Sequence, residues 1–107
     1  MKIYNKLVRD KIPSIIKESG SKPNFTTLPL SQYKTALLSK LLEEAKECYC
    51  AYTDEQLTEE LADLLEVVDT ICNTYNITKD EVLLKQAKKK AERGGFNKRY
   101  WLRGVGE

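Results

Sequence analysis

Histidine is absent from this 107-residue chain, which removes the side chain most often used as an acid or base near neutral pH. Serine–histidine and cysteine–histidine nucleophile systems are thereby excluded, and proton transfer falls to carboxylates, lysine, tyrosine or metal-bound water. Three cysteines, Cys48, Cys50 and Cys72, are odd in number and accompany no export signal, so reduced thiols are expected instead of a disulfide framework. On a helix Cys48 and Cys50 would stand about 200° apart around the axis, and without histidine a zinc site lacks its usual ligands. Long apolar runs are missing too, and the start Met1-Lys2-Ile3-Tyr4-Asn5-Lys6 has no hydrophobic signal region. Neither a membrane span nor secretion is expected, and the expected location is cytoplasmic.

What is present is ordinary for a folded, helix-leaning chain: 41% hydrophobic and 32% charged residues, with no low-complexity run. The length suits one domain, 1–107. The net charge of +2 conceals a segregation. Residues 43–69 hold ten acids against the single base Lys46, a balance of −9 that leaves +11 on the rest. The densest basic stretch runs from Lys85 to Arg103, with only Glu92 opposing it.

Hydrophobic spacing predicts helices. Arg9 to Ser19 carries Ile12, Ile15 and Ile16 at helical intervals, with Pro13 suited to a first turn and Gly20 to a C-terminal stop. Lys22 to Leu30, with Pro23 and Pro29, reads as extended and as a candidate to pair with residues 3–7. Ser31 is expected to cap a helix of about twenty residues whose stripe is Leu37, Leu38, Leu41, Leu42, Ala45, Cys48 and Tyr49. Thr53-Asp54-Glu55-Gln56 has the capping-box form and opens a second long helix with the stripe Leu57, Leu61, Leu64, Val68, Ile71 and Tyr75, ending near Asn76. Thr78-Lys79-Asp80-Glu81 opens a third, which breaks at Gly94-Gly95. The short links favour antiparallel neighbours in an all-α, bundle-like array of three main helices, plus the short N-terminal helix and the extended segment.

Two acidic clusters carry the chemical signal. Glu44 lies three residues after Leu41 and four before Cys48, which sets it along the apolar stripe, and Glu47 follows one turn later. Glu60 lies three after Leu57 and four before Leu64, again within the stripe, with Asp63 one turn on. Burying several carboxylates without a cation would raise their pKa values and push the helices apart, so a positive ion is expected among them. Oxygen-only ligands point to Mg²⁺, with Mn²⁺ as an alternative, and Mg²⁺ characteristically shares its coordination with substrate phosphates. Glu18, Glu55, Glu59 and Glu66 read as a solvated surface.

The basic end offers a complement. Lys85, Lys88 and Lys89 share a helical face, Arg93 follows four residues after Lys89, and such a face suits phosphate oxygens as well as plain solvent. Gly94-Gly95-Phe96 adds a backbone that a ligand can approach and a ring able to stack on a base. Tyr100 and Trp101 among arginines are also compatible with single-stranded nucleic acid, but packing or a contact between chains accounts for them at least as well, and nucleic acid is not the expected partner.

Glu43-Glu44-Ala45-Lys46-Glu47 followed by Glu60-Leu61-Ala62-Asp63 resembles the E-E-x-x-E … E-x-x-D pattern of the all-α nucleotide pyrophosphohydrolases, which include MazG-like enzymes, dimeric dUTPases and phosphoribosyl-ATP pyrophosphohydrolase. Tyr4-Asn5-Lys6-Leu7-Val8-Arg9-Asp10-Lys11-Ile12-Pro13 and Arg93-Gly94-Gly95-Phe96 are similar to a small stand-alone MazG-like branch. The resemblance implies a MazG-like helical bundle whose core is completed by association of chains into a homodimer or higher oligomer. It implies Glu44, Glu47, Glu60 and Asp63 as Mg²⁺ ligands, Glu43 or Glu47 as the carboxylate that handles the proton of water, and Lys88, Lys89 and Arg93 near phosphates. With Phe96, the N-terminal Asn5, Lys6 and Arg9 complete the expected substrate contacts, in a polar cluster that also includes Asp10 and Lys11. The implied activity is cleavage of the α-β anhydride of a nucleoside triphosphate to monophosphate and pyrophosphate, in nucleotide-pool house-cleaning. Phosphoribosyl-ATP hydrolysis and a non-catalytic helical module that binds nucleic acid or protein are the alternatives.

Overall fold

In a computed structural model that describes residues 2–106, the chain forms four helices: α1 (Ile12–Glu18), α2 (Leu30–Tyr49), α3 (Asp54–Thr74) and α4 (Lys79–Arg93). The architecture is all-helical, with no strand among the described residues. Two compact units divide it, Met1–Asn76 and Ile77–Glu107.

In the first unit, α2 and α3 pack as an antiparallel hairpin. Its open end is fixed where the Tyr75 hydroxyl donates to the Lys34 carbonyl at 3.4 Å and Lys34 Nζ lies 5.0 Å from the Tyr75 ring centroid. Its closed end is the short turn between Tyr49 and Asp54. There Thr53 Oγ1 accepts from the Gln56 N–H, satisfying one of the donors a helix start leaves open. The Gln56 side chain accepts in turn from the Tyr52 N–H at 2.9 Å, one residue earlier than a capping box would have it. The core is small. Leu37 is 2% exposed, Val67 and Cys72 are buried as well, and the one charged residue at that depth among the described residues is Glu44 at 8%.

Four expectations need correcting. Residues 3–7 and 22–30 form no strand pair; Pro23 and Pro29 each lack the N–H that a ladder would need. α2 begins at Leu30, with Pro29 at its N-cap and no side-chain cap, so Ser31 lies within the first turn, where its carbonyl accepts from Thr35 Oγ1. The apolar stripe of α2 is only partly covered: Leu37 is buried and Leu41 half-buried, while Leu42, Ala45 and Tyr49 are exposed. A helix packed against a single neighbour hides the face toward it and leaves the flanks of a broad stripe in solvent. α1 is also shorter than its pattern suggested, starting at Ile12; Pro13 occupies the first turn and Gly20, at φ +95°, follows the end. That conformation suits glycine because a Cβ would be strained there.

The second unit is α4 and the tail. Thr78 Oγ1 accepts from the Glu81 N–H, the N-cap bond its sequence predicts, and the Thr78 hydroxyl donates to the Glu81 carboxylate at 3.0 Å, where a capping box would have the Thr78 N–H do so. Asp80 and Glu81 stand at the positive end of the helix, and Lys90 and Arg93 at the negative end. Gly94, at φ +84°, ends it. Every described residue from Ile77 onward is exposed.

Candidate metal centre

The α2–α3 hairpin brings three carboxylates together near its closed end. Glu44 from α2 and Glu60 and Asp63 from α3 each offer an oxygen, all within 4.8 Å of one another. Helical phase explains the placement. Glu44 follows Leu37 by two turns on the face toward α3, and Glu60 and Asp63 are one turn apart on the face toward α2. Oxygens on opposite sides of one Mg²⁺ stand about 4.2 Å apart, so three carboxylates at this spacing fit a single hard cation with small side-chain adjustment. The donor set is all oxygen, as such an ion requires.

Crowding shows at Glu60 and at the neighbouring Cys48. Burial pushes the Glu60 carboxyl up, and the charges of Glu47, Asp63, Glu44 and Glu59 push it further in the same direction. The Cys48 thiol is also raised, by burial first and then by Glu60, Glu44 and Asp63. Glu60 has no ion-pair or hydrogen-bond partner among the described residues, whereas its two companions do.

Those partners are cations of the chain itself. Arg9 Nη2 donates to Asp63 Oδ1 at 2.6 Å. Lys6 Nζ lies 3.7 Å from Glu43 Oε1. Lys40, only 17% exposed, reaches Glu43 Oε2 at 3.3 Å and Glu44 Oε1 at 3.5 Å. The expectation of a cation among the acids is therefore met in part by the chain itself. Lys40 was legible at three and four residues before Glu43 and Glu44; the Arg9 pairing spans 54 positions and was not.

Glu47 does not take the inward position its spacing suggested. It is exposed and stands outside the trio, although its charge reaches Glu60. Instead it lines an open recess at the helix turn with Cys50, Ala51, Gln56, Glu59 and Glu60. Glu43 is half-buried between Lys6 and Lys40. Glu18, Glu55, Glu59 and Glu66 are exposed, as their phase implied. In the N-terminal arm Asn5 is exposed, with a positive φ of 46°. Lys88, Lys89, Arg93 and Phe96 belong to the second unit and are exposed.

A family profile described as the MazG nucleotide pyrophosphohydrolase domain matches residues 32–95, well over half of the chain. The chain belongs to this family. The match contains Glu43, Glu44, Glu47, Glu60 and Asp63 and runs on through α4 to Gly95, but leaves out the arm that carries Lys6 and Arg9. Comparison with curated proteins and with solved structures returns no significant match. No helix among the described residues is long and apolar enough to cross a membrane.

Proposed function

We propose that this MazG-family chain is a Mg²⁺-dependent nucleoside triphosphate pyrophosphohydrolase, cleaving the α-β anhydride to a nucleoside monophosphate and pyrophosphate. The observation that carries this reading is the convergence of Glu44, Glu60 and Asp63 within 4.8 Å, in a chain of the pyrophosphohydrolase family. Three carboxylates held so close invite a divalent cation, and Glu60, lacking a partner of its own, is the ligand with most to gain. Mn²⁺ satisfies the same oxygen set.

Glu44, Glu60 and Asp63 would hold the ion, with Glu47 entering from the rim. When bound, such an ion acidifies water and neutralises charge on phosphate oxygens. The residues supply the rest. Glu47 and Glu43 are the carboxylates available to take a proton, which no histidine can do in this chain. Lys40, fixed against Glu43 and Glu44, holds those side chains in place. Lys6 and Arg9 from the arm bring positive charge for the phosphate chain, and Asn5 would hydrogen-bond the bound nucleotide. On α4 and its tail, Lys88, Lys89 and Arg93 form an exposed basic face suited to phosphate, and Phe96 an exposed ring suited to stacking on a base. The role fits nucleotide-pool house-cleaning in the cytoplasm. A homodimer or higher oligomer would cover the apolar flank at Leu38 and Leu42, both exposed on α2.

The test is a panel of nucleoside triphosphates, with phosphoribosyl-ATP included, incubated with Mg²⁺ and assayed for pyrophosphate. Metal-dependent release from at least one triphosphate is expected. No release from any of them would overturn the reading and favour a binding module; release from phosphoribosyl-ATP alone would reassign the substrate.

A further inference from the structure

The arm that precedes α1 lies outside the family match, yet it inserts its charge into the acidic site. Arg9 sits at a fixed point: its carbonyl accepts from the Ile12 N–H at 3.0 Å as α1 begins. From there its guanidinium reaches across to α3 and holds Asp63 Oδ1 at 2.6 Å. The pair is partly open, at 58% and 40% exposure of the two side chains. Ion pairs of that kind are weak and exchangeable, unlike a buried one. Asp63 is also one of the three carboxylates that converge with Glu44 and Glu60. One side chain therefore has two claims on it, and both claimants are positive.

We propose that Arg9 couples metal loading to phosphate binding by exchanging partners: it neutralises Asp63 until a divalent cation takes that carboxylate, and then turns its guanidinium to the phosphate chain. This rests on the metal-site reading above. The exchange is reasonable on charge alone. A guanidinium beside a divalent cation is repelled by it, and the same guanidinium is drawn to a phosphate arriving with that cation. Its planar fork suits a carboxylate and a phosphate equally well, so the handover needs only rotation of an exposed side chain. Lys6, 3.7 Å from Glu43, is more loosely held, by a carboxylate outside the trio, and has no such competition to resolve.

The signature is a pair of effects of opposite sign, which a purely structural role for Arg9 does not produce. Calorimetric titrations would compare the wild-type chain, Arg9→Gln and Arg9→Lys, first with Mn²⁺ alone and then with imidodiphosphate in saturating Mn²⁺. Imidodiphosphate carries a non-hydrolysable phosphate chain without a base, so nucleotide preference does not enter. Arg9→Gln should bind Mn²⁺ about three- to fivefold tighter, the scale of a single exposed ion pair. It should bind imidodiphosphate about tenfold more weakly, the scale of a single charge-assisted hydrogen bond. Arg9→Lys, which keeps the charge without the fork, should fall between. Mn²⁺ binding that is unchanged or weaker in Arg9→Gln, or imidodiphosphate binding that is not weakened, overturns the exchange. Should the wild-type chain bind no Mn²⁺ at all, the metal site itself falls and the exchange with it, a result distinct from the first two.

Discussion

The two units of this chain treat charge in opposite ways. In the first, Glu44 is buried, Lys40 nearly so, and Glu43, Glu60 and Asp63 are partly covered, with Arg9 and Lys6 brought in from the arm. In the second, every described residue from Ile77 onward, including all the lysines and arginines of α4 and its tail, faces solvent. Charges held close at partial burial shift one another's pKa and create demand for a ligand; charges spread over an exposed helix are screened and create little. The acids that could hold a ligand are thus gathered in the α2–α3 hairpin, while α4 and its tail offer a diffuse positive face.

Substitutions can break or sharpen that contrast. The largest effect is expected from Glu44→Gln or Asp63→Asn, each of which should lower Mg²⁺-dependent pyrophosphate release by about a hundredfold or more, because each removes a ligand charge from the trio. Next comes packing. Leu37→Ala should cost about 2–4 kcal/mol in a urea titration, since Leu37 is 2% exposed, whereas Leu84→Ala on exposed α4 should stay within about 0.5 kcal/mol. Equal costs would mean that α4 is covered in solution. Smaller again, Lys88→Ala combined with Lys89→Ala should raise KM about fivefold with little change in melting temperature, consistent with screened charges that meet only substrate.

The smallest effect concerns pH. The Glu60 carboxyl is raised in the folded chain, so the folded state keeps this proton to higher pH than the unfolded state does. The stability this contributes is complete below the ordinary carboxylate range and is lost as pH rises through the raised value. Glu60→Gln, which mimics the protonated form, should therefore match the wild-type melting temperature in acid and sit slightly above it at neutral pH when no divalent cation is added. A variant that melts lower at neutral pH would show that ionised Glu60 is favourably partnered.

Much of the fold was legible because its signals are local. Thr53 and Thr78 cap where their motifs stand, Gly20 and Gly94 follow helix ends with positive φ, and the phase of Glu44, Glu60 and Asp63 along their stripes places them together. Periodicity reports which face a residue occupies but not how much a neighbour will cover. Glu47 and Tyr49 have stripe positions and yet are exposed, because a two-helix contact is narrower than the stripe. Nor does it report pairing across long stretches of chain. The ion pair between Arg9 and Asp63, 54 positions apart, depends on where the arm before α1 reaches α3.

The central claim, that Glu44, Glu60 and Asp63 form a divalent-cation site, is tested most directly by calorimetric titration of Mg²⁺ into the wild-type chain and Glu60→Gln. Saturable binding by the wild type, abolished in a Glu60→Gln variant that remains helical by circular dichroism, is the predicted result; no binding by the wild type, or equal binding by both, would contradict it.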